Sequence, residues 1–259
     1  MGRQMYREWV LTSQRLKRAL IYRNYDSTAY WRGRAGEKGE AAVMFTNAEY
    51  NDLVRLRQMA VLEPYLAALR SGARILDIGC GIGAVAARMA DRRPDARITA
   101  VDFPEMVARG RAENARSGID YREGSAETYF DGDSRFDLVV SAACYSAIRD
   151  LQKLESGLLK GVEILAPGGH LVLIDPFHWW VYLARAKYSS GKVIRLLTSR
   201  GMKLVEKSGI LYWPAREKLS NSNLTGAQLR REFEAGEEKL RSRGAHLWAD
   251  YKVLIFRKP

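Results

Sequence analysis

Nine residues, Ile75-Leu76-Asp77-Ile78-Gly79-Cys80-Gly81-Ile82-Gly83, constrain the chain more than any other stretch: an apolar run meets a carboxylate and then glycines at alternate positions. The apolar run suits a buried parallel strand. The glycines let the backbone turn sharply and lie against a ligand with no Cβ in the way. Gly79, Gly81 and Ala84 also satisfy the G-x-G-x-x-G/A spacing of a dinucleotide turn, in which a pyrophosphate rests on the N-terminus of the next helix. Asp77 argues against that ligand, because a carboxylate two residues before the first glycine repels phosphate. It suits a ligand with a cationic end.

Further strands follow in order. Arg97 to Asp102 ends in a second carboxylate about 20 residues past the turn, the distance at which an acid reads a nucleoside ribose. Asp102 equally suits the N-cap of a helix starting near Pro104, and Phe103 suits either a ligand ring or the core. Tyr121-Arg122-Glu123 leads into Gly124-Ser125-Ala126, and Phe136 to Ser141 forms a fourth strand with Ala142 to Tyr145 at its C-terminal end. Pro167-Gly168-Gly169 turns into a fifth strand ending at Asp175.

This succession resembles the class I S-adenosylmethionine-dependent methyltransferases, whose cofactor carries an ammonium and a sulfonium but no phosphate. The resemblance implies an α/β fold: a Rossmann-like, seven-stranded, mostly parallel sheet with an antiparallel last strand, helices on both faces and an N-terminal helical cap. It implies S-adenosyl-L-methionine as cofactor, with Asp77 and the turn Gly79, Cys80, Gly81 and Gly83 at its methionine end. Asp102 would hold the ribose, and Phe103, Ser125 and Ala126 the adenine. Ser125 stands where the family commonly has an acid, so its contact should be weaker. Ser141 and the residues after it, including Tyr145, should approach the methionine end and the acceptor. The Asn/Asp-Pro-Pro-Tyr motif of adenine and glutamine methylation is missing.

Acceptor-side residues are sought in two places. The segment Asp175-Pro176-Phe177-His178-Trp179-Trp180-Val181-Tyr182 gathers aromatics beside an acid and an imidazole at the functional edge of the sheet. His178 is the best-placed general base among three histidines, with Asp175 as rival, Tyr145 a further catalytic candidate and Trp179 a substrate contact; all equally suit packing roles. The N-terminal piece has a basic amphipathic helix, with Arg3, Arg7, Arg15, Lys17 and Arg18 beside Met5, Trp9, Leu16 and Leu20. Tyr25, Tyr30 and Trp31 follow as substrate contacts or packing aromatics. A mobile loop is expected at Gly33 to Gly39. Met44 to Asn51 should start the next helix, with Leu53, Leu56 and Met59 to Leu62 packing on the sheet.

A chain of 259 residues with 47% hydrophobic content can bury a large core plus an accessory region, divided here into a cap, 1–65, and a methyltransferase domain, 66–259. No apolar run approaches the ~20 residues of a membrane span, and Met1-Gly2-Arg3-Gln4 lacks a signal-peptide core. Two cysteines form no disulfide or metal framework and point to a reducing compartment, hence a cytoplasmic protein. Near the C-terminus, Lys192 to Ser199 suits a helix, Met202 to Tyr212 a strand and Tyr251 to Phe256 an antiparallel strand. Thr225 to Gln228 matches a capping box opening a helix within 220–243, read as a solvated helix in preference to a lid.

The net charge of +12 invites a nucleic-acid partner, but the basic residues are spread along the chain and no RNA-binding module is present. The expected activity is therefore methyl transfer by in-line displacement to a hydroxyl of a small molecule or sugar, with at most peripheral membrane contact. N-methylation or RNA methylation is the alternative within the class. An NAD-dependent oxidoreductase and a non-catalytic protein of the same fold are the alternatives outside it.

Overall fold

In the computed structural model, which describes residues 27–129, 135–148, 150–178 and 188–259, strands β1 (Arg74–Ile78), β2 (Arg97–Asp102), β3 (Ile119–Glu123), β4 (Phe136–Ala142) and β5 (Leu165–Asp175) run parallel. β6 (Lys203–Tyr212) and β7 (Ala249–Arg257) complete one seven-stranded sheet of order β3-β2-β1-β4-β5-β7-β6. β7 is antiparallel to both its neighbours, so β6 again runs with β1 to β5. The order reverses beside β1, which places a crevice at its C-terminal end.

The helices, in chain order, are α1 (Ser27–Arg34), α2 (Ala48–Ala67), α3 (Ala84–Arg92), α4 (Pro104–Glu113), α5 (Leu151–Glu163), α6 (Ser190–Thr198), α7 (Trp213–Leu219), α8 (Gly226–Ser242) and α9 (Ala245–Trp248). Central strands are apolar on both faces because both are covered. Ile75, Val140, Val172 and Ile255 face α2, α3 and α8, whereas Leu76, Val139, Leu171 and Leu254 face α5 and α6. This two-sided burial is the physical content of the continuous hydrophobic runs.

α2 belongs to the core. Leu53, Leu62 and Leu66 are buried against the sheet, each worth roughly 1.5–3 kcal/mol of transfer free energy. The expected division at residue 65 falls inside this helix. Its start also differs from expectation: Asn47 is the N-cap, accepting the Tyr50 N–H at 3.0 Å, so Met44 and Phe45 precede the helix. Leu56, expected to pack, is 55% exposed.

Two further expectations are corrected. The stretch taken as a mobile loop is anchored, since the Arg109 guanidinium donates to the carbonyls of Ala35 (3.0 Å), Glu37 (2.7 Å) and Gly39 (3.1 Å). α8 is more than a solvated helix: Leu229, Phe233 and Leu240 are buried, and Phe233 meets Tyr50 edge-on with ring centroids 5.7 Å apart. Thr225 occupies its N-cap without a side-chain bond. The carboxylate of Glu49 accepts the Gly226 N–H instead, at 2.6 Å.

Candidate active site

The glycine turn is stitched to the neighbouring strand. Val101 O accepts the N–H groups of Gly79 (2.8 Å) and Cys80 (3.0 Å), and the Asp102 carboxylate accepts those of Gly81 and Phe103, both at 2.7 Å. Gly79 has φ +70°, and a Cβ there would lie 2.4 Å from the Cys144 Sγ, so β4's following loop closes directly onto the turn. Turn, loop and α2 enclose a cleft of about 310 Å³ at the C-terminal edge of β1, β2 and β4.

Its inner end carries unspent hydrogen-bonding capacity. Asp77 is 1% exposed, and its Oδ2 has no partner. Burial, with the nearby Asp102 charge, raises its pKa to about 7 against the pull of Arg55 and the Ala86 N–H. Arg55, itself buried, is held by Glu40 (Nε to Oε2, 2.9 Å) and donates to Gln58 Oε1 at 2.9 Å, leaving the Gln58 Nε2 without an acceptor. A carboxylate oxygen lacking a donor, a guanidinium and an amide N–H lacking an acceptor thus share one wall. Such a set complements an amino acid zwitterion.

Further along, Asp102 is raised to about 6 by burial, opposed by the two N–H groups it accepts; its remaining lone pairs suit ribose hydroxyls. Phe103, Ser125 and Ala126 form the next part of the wall with Met106 and Trp31. Four carboxylates, Asp77, Asp102, Glu127 and Asp150, and two cations, Arg55 and Lys153, line the cleft among the described residues. The cleft is acidic in a chain of net charge +12, which suits a cationic ligand and disfavours a pyrophosphate.

A model of the methyltransferase domain matches residues 75–169, the span from β1 into β5. The ubiquinone biosynthesis O-methyltransferase of Xanthomonas axonopodis pv. citri (strain 306) is 30% identical over 203 residues, covering 66% of this chain and 78% of the relative. That of Chelativorans sp. (strain BNC1) is 28% identical, covering 62% and 70%. The N-methyltransferase NodS from Bradyrhizobium japonicum WM9, solved with S-adenosyl-L-homocysteine, superposes with TM-score 0.62 at 20% identity, covering 91% of this chain and all of that one. The chain belongs to the class I S-adenosylmethionine-dependent methyltransferases.

In this methyltransferase the residues expected at the cofactor divide into two groups. Asp77, Gly79, Cys80 and Gly81 line the cleft, as do Asp102, Phe103, Ser125 and Ala126. The Ser125 hydroxyl is shared with that of Thr128 at 2.6 Å. Gly83 and Ser141 are not part of the lining. A Cβ on Gly83 would meet Tyr121 Oη at 2.1 Å, so this glycine makes room for an internal side chain rather than for a ligand. Ser141 is buried and donates to Asp175 at 3.3 Å.

The three expected catalytic groups lie outside the cleft wall. The Tyr145 ring is fully buried beneath α5, its hydroxyl donating to Gly157 O at 3.1 Å. Asp175, also fully buried and raised to about 7 by burial, accepts the Ser146 N–H at 3.0 Å. It therefore pins the loop that walls the cleft, including Ala143, which holds the left-handed φ of +65°. His178 has its Nε2 3.7 Å from Asp250 in a buried cluster with Arg216. Burial works to raise the Asp250 pKa, and the Arg216 guanidinium with His178 overcomes it, holding it at about 2. Of the expected substrate contacts, Trp31 lines the cleft, whereas Tyr30 turns to Arg34, accepting its N–H at 3.3 Å. Tyr25, Trp179 and the basic N-terminal helix lie outside the described residues.

Arg55 and Gln58 were missed by motif reading. Their signal is a polar stripe, Asn51, Arg55 and Gln58 at i, i+4 and i+7, buried on a face of α2 that otherwise takes apolar residues.

Proposed function

We propose that this methyltransferase transfers the methyl group to a hydroxyl of a small, largely apolar molecule. The observation that carries this reading is the wall formed by the loop after β4, where Ala142, Ala143, Cys144, Ala147 and Ile148 offer an apolar surface beside the turn. A sugar acceptor calls for convergent polar groups, and among these five side chains the Cys144 thiol is the one polar group; Asp150 and Lys153 line the cleft beyond them. The relatives named for ubiquinone biosynthesis transfer to oxygen, which supports a hydroxyl over an amine.

The residues present fit the cofactor, as the unpartnered Asp77 Oδ2 and Gln58 Nε2 attest. Asp77 would take its ammonium, Arg55 and Gln58 its carboxylate, Asp102 the ribose, and Phe103, Ser125 and Ala126 the adenine. When bound, it supplies an electrophilic methyl on a sulfonium. The protein's part is to hold the nucleophile on the displacement axis and to exclude water. No described histidine lines the cleft, so the reading favours a hydroxyl that is acidic in its own right, such as a phenol.

The test is a panel of phenols, sugars and primary amines incubated with methyl-labelled S-adenosylmethionine, with products identified by mass. Labelled phenol ethers are expected, at a rate that rises with pH until the acceptor's own pKa is passed. Label found only in sugars or amines sinks the proposal.

A further inference from the structure

α9 presents an unusual surface for so short a helix. Leu247 is 63% exposed and Trp248 37% exposed, side by side, and no residue of α9 is buried. The helix is nevertheless held rigidly. Buried Lys252 donates to two of its carbonyls, those of His246 (2.6 Å) and Leu247 (3.0 Å), and to that of its C-cap, Ala249 (2.8 Å). The His246 ring bridges Ser208 O (2.8 Å) and the Ser190 hydroxyl (2.9 Å). Burying an ammonium is costly unless every proton is used, and here all of that capacity fixes a helix whose outer face is apolar.

Three exposed cations stand on the elements that adjoin it. Lys192 lies two residues beyond Ser190 in α6, its ammonium 5.5 Å from the Tyr188 ring centroid, Lys207 precedes Ser208 on β6, and Arg243 follows α8 and donates to the Tyr212 hydroxyl at 3.0 Å. The Tyr212 ring in turn lies against Trp248, with centroids 6.2 Å apart. Of the acids close by in sequence or through these contacts, Asp250 is paired with the Arg216 guanidinium, Glu206 accepts from Ser208 and Tyr65, and Glu155 accepts from Tyr188. α9 sits where β6 ends and β7 begins, so it faces the same edge of the sheet as the cleft.

We propose that Leu247 and Trp248, with Lys192, Lys207 and Arg243 on the adjoining elements, seat the enzyme on an anionic bilayer surface. A leucine and a tryptophan with flanking bases match the layered polarity of the headgroup boundary, and each nearby base adds attraction to anionic lipid. Two partly exposed side chains fall far short of the ~800 Å² per partner that a stable protein interface buries. A bilayer accepts so small a contact because the insertion is shallow. The seat stands apart from the identity of the acceptor, since it is read without methyl transfer.

The experiment is vesicle co-sedimentation of the full chain, using phosphatidylcholine alone and phosphatidylcholine with about one third phosphatidylglycerol. The wild-type enzyme is expected to bind the anionic vesicles at least tenfold more tightly, with affinity falling as salt is added. Leu247→Ser with Trp248→Ser, and separately Lys192→Gln with Lys207→Gln and Arg243→Gln, should each weaken binding at least tenfold. Both sets should keep S-adenosylhomocysteine affinity, which certifies the fold. Equal binding to the two vesicles, or variants that bind as wild type does, overturns the proposal; the second result would move the seat to another basic segment. A wild-type dimer in sedimentation velocity that Trp248→Ser makes monomeric would also overturn it, in favour of a contact between two copies.

Discussion

Asp77 titrates close to neutral pH in the ligand-free enzyme, at about 7, so its charge depends on what fills the cleft. With its pKa raised above the ordinary carboxylate range, the folded ligand-free protein holds a proton that the unfolded chain releases. This group therefore lowers stability as pH rises from about 4 to about 7, and an arriving ammonium reverses the penalty. S-adenosylhomocysteine affinity should rise between pH 6 and 8 with release of a proton, measurable by calorimetry in buffers of different ionisation enthalpy. Asp77→Asn should flatten that pH dependence and weaken binding about 10- to 100-fold, the worth of one charge-assisted hydrogen bond. Arg55→Met should weaken S-adenosylhomocysteine by a similar factor while leaving methylthioadenosine, which lacks the amino acid end, nearly unchanged. Equal losses for the two ligands would show that Arg55 only supports the fold.

The elements place these residues by contacts that motifs do not record. Asn47 caps α2 and also donates to the carbonyls of Ser222 and Leu224, at 2.8 and 2.9 Å. Asn47→Ala should cost about 1–2 kcal/mol, seen as a lower midpoint in thermal unfolding. Asp175→Asn should slow turnover by loosening the loop after β4, yet leave the pH–rate profile in place; loss of its acidic limb would restore Asp175 as a base. The strands were legible because burial on both faces writes continuous apolar runs, and the acids at the ends of β1 and β2 were legible because the fold aims those ends at the crevice. Tyr145, Asp175 and His178 do not line the cleft, for a related reason. Their position at the C-terminal edge is right, but chain position does not say which side of the edge a side chain takes, and Gly157 on α5 leaves a space that Tyr145 fills. Arg55 was overlooked because it stands more than 20 residues before the glycine turn and reaches it only through tertiary packing.

At the scale of the whole molecule, the cleft draws on segments far apart in the chain and leans on a third. The motif span, residues 75–169, supplies the turn and the two acids, while α2 supplies the zwitterion-matching groups. α2 is moored in turn to the approach to α8 through Asn47, Glu49 and Thr46, partners some 175 residues away in sequence. That mooring bears on the order of events during synthesis. A nascent chain that has emerged as far as β5 already holds every glycine and acid of the turn, but the anchor for the Arg55 helix has not yet been made. Competence to retain the cofactor should therefore appear late and abruptly, once the residues near 220 are out, and ribosome-stalled chains of increasing length would display it as a step.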